Sequence, residues 1–94
     1  VRPRARGLTV IGATIMPIKR ADLAYSDRAE AVRGQVNAWI RYGRGYDHIL
    51  DFDRVVRDPV DPAALLAAYD SGDGIHLTDA GYDALASAVD LPTL

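Results

Sequence analysis

The chain has 94 residues, 11 Lys and Arg against 13 Asp and Glu, and a formal net charge of −2. That is at most one small domain; 49% hydrophobic residues argue against a disordered segment, and the lack of basic excess argues against a nucleic-acid surface. With no Cys, disulfides, thiolate zinc sites and Cys nucleophiles are excluded.

Arg2, Arg4 and Arg6 precede the apolar run 8–18, which has the outline of a signal peptide. The run carries Thr9, Gly12, Thr14 and Pro17, and Asp22-Leu23-Ala24 puts a charge where a cleavage site needs a small residue. It is also too short to span a bilayer. Residues 8–14, rich in β-branched side chains, predict instead a strand buried on both faces, as in a parallel sheet. Gly7 is placed to stop a preceding helix, and there is no initiator Met. Together these predict a chain that starts inside a longer protein.

Residues 18–26 read as a polar loop. Asp27 is the predicted N-cap of a helix, with Glu30 three residues on. Ala29, Val32, Val36, Trp39, Ile40 and Gly43 recur at helical spacing and form its predicted buried face. Arg28, Arg33 and Arg41 fall between them, on the predicted solvated face. Gly43 and Gly45 end this helix, and residues 46–52 predict a second strand. Strand, helix and strand with a long crossover make a right-handed βαβ unit. Residues 53–58 predict a helical turn. Asp61 and Pro62 predict the start of a short helix over 63–69. Thr78 is placed to cap a last helix with the face Tyr82, Leu85, Ala86 and Val89, closed by Leu91-Pro92. There is no internal repeat. The fold class is therefore α/β, two parallel strands plus helices. Strands this apolar need neighbours on each side and helices above and below, so the chain reads as the last part of a larger three-layer α/β/α sandwich.

The segment from Asp73-Gly74-Ile75-His76 to Tyr82 carries the chemistry. An Asp three residues before a His lets both side chains reach one site from one loop. The carboxylate fixes the imidazole tautomer and leaves the other nitrogen free to take a proton. Imidazole titrates near neutrality, so it serves as base and then acid in one cycle. On spacing alone the plainer reading is favoured: Asp73 caps a turn and His76 is an exposed polar residue.

Asp73-x-x-His76 followed by Thr78-Asp79-Ala80-Gly81-Tyr82 resembles the last block of the SGNH (GDSL-type) hydrolases, D-x-x-H-P-N-x-x-G-Y. Leu77 stands in place of the Pro and Thr78 in place of the Asn. The likeness extends to Gly7-Leu8-Thr9-Val10-Ile11-Gly12-Ala13-Thr14 with Pro17, to Val36-Asn37-Ala38-Trp39-Ile40-Arg41, and to Asp47 through Asp53 with Arg57-Asp58-Pro59. It implies a flavodoxin-like three-layer sandwich, with residues 1–94 the C-terminal portion of one domain. It implies a serine esterase or lipase in which Asp73 and His76 complete a Ser-His-Asp triad, with no cofactor. It implies a secreted or extracytoplasmic protein. The family's nucleophile and oxyanion blocks have no counterpart here. Of the serines, Ser26 and Ser87 belong to helices, and Ser71 is a loop residue without a strand-to-helix turn to expose it. The implied partner is thus a complementary N-terminal segment carrying the serine. The alternative is an inactive fragment that only associates, with such a segment or with itself.

Other candidates have plainer readings. Asp51, Asp53, Asp73 and His76 lack the acidic spacing of a cation loop, so no metal is expected. Asp51 and Asp53, where open α/β sheets bind ligands, could also serve a phosphoacceptor or small-ligand module, but such residues commonly cap the next turn. His48 reads as a strand-edge residue. Trp39, Val36 and Ile40 read as core, and Tyr42 and Tyr46 as packing at a helix end.

Overall fold

The computed structural model describes residues 7, 9–19 and 25–89. The expected helix end in 1–6, the strand start at Leu8, loop residues 20–24 and the stop at 91–92 lie outside the described residues. The order is β1 (Ile11–Ala13), α1 (Asp27–Tyr42), β2 (His48–Leu50), α2 (Phe52–Val56), a 3-10 turn (Ala67–Tyr69) and α3 (Asp79–Ala88). β1 and β2 pair in parallel, with Ile11 opposite His48 and Ala13 opposite Leu50. The chain is α/β, two parallel strands plus helices, as the periodicity predicts. Both strands are shorter than expected, although Thr14 N–H still reaches the Leu50 carbonyl and Asp47 N–H the Val10 carbonyl. Nor is β1 buried on both faces: Gly12 and Thr14 are buried, while Ile11 and Ala13 are exposed.

Helix α1 departs from its predicted orientation. Its N-cap is Ser26, not Asp27: the Ser26 hydroxyl accepts from the Ala29 amide at 3.0 Å. Glu30 turns to Arg33 instead of the cap, at 2.6 and 2.8 Å. The buried residues are Arg33, Asn37 and Ile40, while Val32 and Trp39 are exposed, Trp39 by 61%. Arg33 and Arg41 are therefore not a solvated face, and Trp39 is not core. The reason lies in what α1 meets. The backbone beyond β1 and the start of α2 present a free peptide group and two carboxylates, which only polar side chains can satisfy. Asn37 accepts from Ile15 N–H at 2.7 Å and donates to its carbonyl at 2.9 Å, as a neighbouring strand would. Trp39 instead meets the edge of Tyr46, with ring centroids 6.0 Å apart. Tyr42 is exposed as well, its hydroxyl accepting from Arg54 at 3.3 Å.

The apolar core lies elsewhere. Val56, Leu65 and Leu77 form it, with Met16, Val55, Tyr69 and Leu85 packed around them. This explains the missing helix at 63–69. Residues 61–64 form a turn instead, the Ala64 amide donating to the Asp61 carbonyl, and Leu65 is bridged to Arg57 with the Leu66 amide bonded to the Val56 carbonyl. Burying Ala64 and Leu65 against α2 outweighs the helix propensity of the alanines, leaving only the 3-10 turn. Thr78 caps α3 as predicted, accepting from the Gly81 amide at 3.2 Å. The buried side of α3 is Gly81 with half-buried Leu85; Tyr82 and Ala86 are exposed, contrary to the predicted face. A Cβ at Gly81 would lie 2.9 Å from the Leu77 Cβ and 3.2 Å from the Tyr69 carbonyl oxygen. Among the described residues, no helix is long and apolar enough to cross a membrane.

Two substitutions test this packing. Asp53→Ala takes the shared carboxylate away from Arg33, Arg41 and Arg57 at a largely buried site, and is expected to cost about 3–5 kcal/mol. That is a large share of a small domain's stability, and urea unfolding reads it as a lowered midpoint. Gly81→Ala gains helix propensity but presses on a backbone carbonyl that cannot swing away. A net loss of about 1–3 kcal/mol is expected, read as a lower Tm.

Candidate active site

The loop between the 3-10 turn and α3 is closed at its base by an antiparallel bridge between Asp70 and Leu77. The Ser71 amide donates to the His76 carbonyl at 3.0 Å just inside that bridge. Leu77 is buried in the apolar core. Thr78 fixes the next position: its amide donates to the Tyr69 carbonyl at 2.9 Å and its hydroxyl to the Ala68 carbonyl at 2.8 Å. His76 thus projects from a base tied to the core by its immediate successors.

Asp73 and His76 face each other. Asp73 Oδ2 and His76 Nδ1 are 2.5 Å apart. The other carboxylate oxygen, Oδ1, accepts from the Ile75 and His76 amides, both at 2.8 Å, and from the Ser71 hydroxyl at 3.3 Å. The His76 side chain, the Ile75 amide and the His76 amide, in that order, hold the Asp73 carboxyl well below the usual carboxylate range. An ionised carboxylate only accepts, so Nδ1 carries the proton and Nε2 of the neutral ring presents a lone pair. Nε2 makes no hydrogen bond to the described residues. Both side chains are open to solvent, His76 by 71%. The chemistry available is proton transfer at Nε2, with Asp73 steadying the cation that results.

The other sequence candidates lie apart from this pair or are already engaged. Asp51 is the N-cap of α2, and Arg41 binds it through two nitrogens at 2.7 and 2.8 Å. Burial alone would push the Asp51 carboxyl up; Arg41 and Thr14 outweigh it and pull it down to about 2. Asp53 is taken by Arg33, Arg41 and Arg57. His48 sits in β2. Ser71 points its hydroxyl at Asp73 rather than at the imidazole. Among the described residues, no group of three or more His, Asp or Glu side chains is placed to hold a metal ion. Asp70 was not singled out by sequence reasoning, yet its Oδ1 accepts from the Gly72 amide at 2.8 Å and the Gly74 amide at 3.0 Å. The signal was the spacing Asp-x-Gly-x-Gly, an acceptor followed by two glycine amides within its reach.

The Asp73 shift has a definite sign. A depressed carboxyl favours the ionised, hydrogen-bonded loop above the ordinary carboxylate range, and that preference is lost only as pH falls through the folded value. Carboxyl-carbon NMR should show Asp73 titrating below the other exposed aspartates. In His76→Ala its midpoint should move up toward them; an unmoved midpoint means that the imidazole does not hold the carboxylate.

The sequence matches the family model described as the GDSL-like Lipase/Acylhydrolase family over residues 1–84, a span that contains Asp73 and His76. Comparison with curated proteins gives no match. A match over most of the chain, ending beyond the paired loop, means that this chain belongs to the GDSL-like lipase/acylhydrolase family.

Proposed function

We propose that this chain contributes Asp73 and His76 to a Ser-His-Asp triad that hydrolyses carboxylic esters. The observation that carries the reading is the Asp73–His76 bond at 2.5 Å, which leaves Nε2 facing outward. Family membership supports the reaction class. The serine comes from a complementary N-terminal segment outside these 94 residues. As its oxygen bonds to the ester carbonyl carbon, His76 Nε2 takes its proton and the carbonyl π pair moves onto oxygen. When that pair returns, the bond to the leaving alcohol breaks, and the alcohol oxygen receives the proton from His76. Water repeats the attack on the acyl-enzyme, with His76 taking one proton and returning it to serine. Asp73 stays ionised throughout. No cofactor takes part.

The sheet supports the partner. Among the described residues each strand pairs with only one other, and Ile11, Ile15 and Ile49 are exposed. The complementary segment adds strands there and completes a three-layer α/β/α sandwich. A second reading rests on the same exposed strands: the chain is inactive and only associates, with that segment or with another copy of itself.

Hydrolysis of a short p-nitrophenyl ester tests this. The chain alone should be inactive, because the elements of a triad act as a unit. Mixed with the serine-bearing segment it should be active, and His76→Ala should abolish that activity. Activity of the chain alone that survives His76→Ala overturns the triad. A mixture that associates without turnover supports the second reading instead.

A further inference from the structure

Two carboxylates divide the work of holding the loop. Asp73 takes the amides of its C-terminal half, Ile75 and His76. Asp70 takes those of the two glycines that flank Asp73, Gly72 and Gly74. Gly72 and Gly74 have φ of 119° and 75°, backbone shapes that side-chain-bearing residues rarely adopt. The freedom that lets glycine adopt them also makes it the residue that loses most entropy on being fixed. Asp73 lies between these two glycines, so its position is only as definite as theirs. Its own hydrogen bonds run forward to 75 and 76 and, through the Ser71 hydroxyl, back to 71. None of them fixes the backbone of 72 or 74. Asp70 itself is anchored from below, its amide donating to the Ala67 carbonyl at 3.3 Å and its backbone bridged to core-buried Leu77.

We infer that Asp70 is a positioning residue: by gripping the Gly72 and Gly74 amides it sets where Asp73 stands, and so whether the carboxylate meets His76 Nδ1. It touches neither the imidazole nor any reacting atom. Its importance for turnover rests on the proposed triad, but its effect on the Asp73–His76 pair does not.

NMR of the 94-residue chain tests this without any ester. In the unaltered chain the amide resonances of Gly72 and Gly74 should follow the titration of the Asp70 carboxyl, and those of Ile75 and His76 that of Asp73. In Asp70→Ala the Asp73 midpoint should move up toward the ordinary carboxylate range, with loss of the low-field His76 Nδ1 proton signal. Asp70→Asn keeps an oxygen that accepts the same two bonds, and should leave both signals where they are. A purely structural role would lower Tm in Asp70→Ala while leaving the Asp73 midpoint in place, and that result overturns the inference. So does glycine-amide behaviour indifferent to Asp70 in the unaltered chain, or an Asp73 midpoint displaced in Asp70→Asn. These last two decide the matter even where Asp70→Ala fails to fold. Failure of the ester assay with the pair's titration moving as described counts against the triad and leaves the positioning role standing.

Discussion

Arg33 and Asp53 meet at 2.7 Å with both side chains almost wholly out of water. Taking two charges into such a place costs more than their attraction returns unless the remaining hydrogen-bonding capacity is filled. Here it is filled on the cation. The five N–H groups of Arg33 reach five acceptors: both oxygens of Glu30, Oδ1 of Asp53, and the carbonyls of Ile15 and Pro62. Asp53 in turn receives Arg41 on its second oxygen, and its amide donates to the Thr14 hydroxyl at 2.9 Å. No buried side-chain nitrogen or oxygen among the described residues lacks a partner. Through this one connected set of donors and acceptors the seam links α1, the backbone just beyond β1 and the start of α2.

The short helix α2 joins that seam to the apolar core. Asp53 and Val56 lie three residues apart, so they share a side of the helix one turn from each other. Both are buried: Asp53 takes the arginines, and Val56 packs with Leu65 and Leu77. Leu77 is the neighbour of His76. The order of anchoring is thus strand ends, polar seam, α2, apolar core, paired loop.

What was legible in the sequence follows from how local each cause was. The Thr78 cap and the approach of Asp73 to His76 depend on residues within a few positions of each other, and spacing is enough to find them. The buried face of α1 depends on partners far along the chain. Arg33 finds Asp53, Asn37 finds Ile15, and nothing in a helical repeat reveals that polar groups wait opposite. Apolar periodicity therefore selects Trp39 and Val32, which are exposed, along with Ile40, which is buried. Residues 63–69 failed for a related reason. An Ala-rich stretch after Asp-Pro has the local preferences of a helix, and only the position of Val56 makes an extended Leu65 the better use of it. Family resemblance reached the paired loop but not Asp70, for which the only sequence signal was the local spacing of Asp70, Gly72 and Gly74.

The exposure of the paired loop determines what can hold it. Charges facing water attract one another weakly, and an exposed ion pair adds little to stability. Attraction between carboxylate and imidazolium therefore cannot be what places His76, whose side chain is 71% exposed. Backbone amides can do so, because they are rigid, local and already positioned by the bridge at Asp70 and Leu77. Asp73 takes two of these amides on Oδ1, which leaves Oδ2 for the imidazole. The tautomer of His76 is in this way set by the loop's own backbone before any low-dielectric cover is supplied. A site built so does not need its surroundings in order to assemble the pair. In the proposed triad those surroundings would serve only to exclude water and to strengthen electrostatic interactions that solvent screens in this chain.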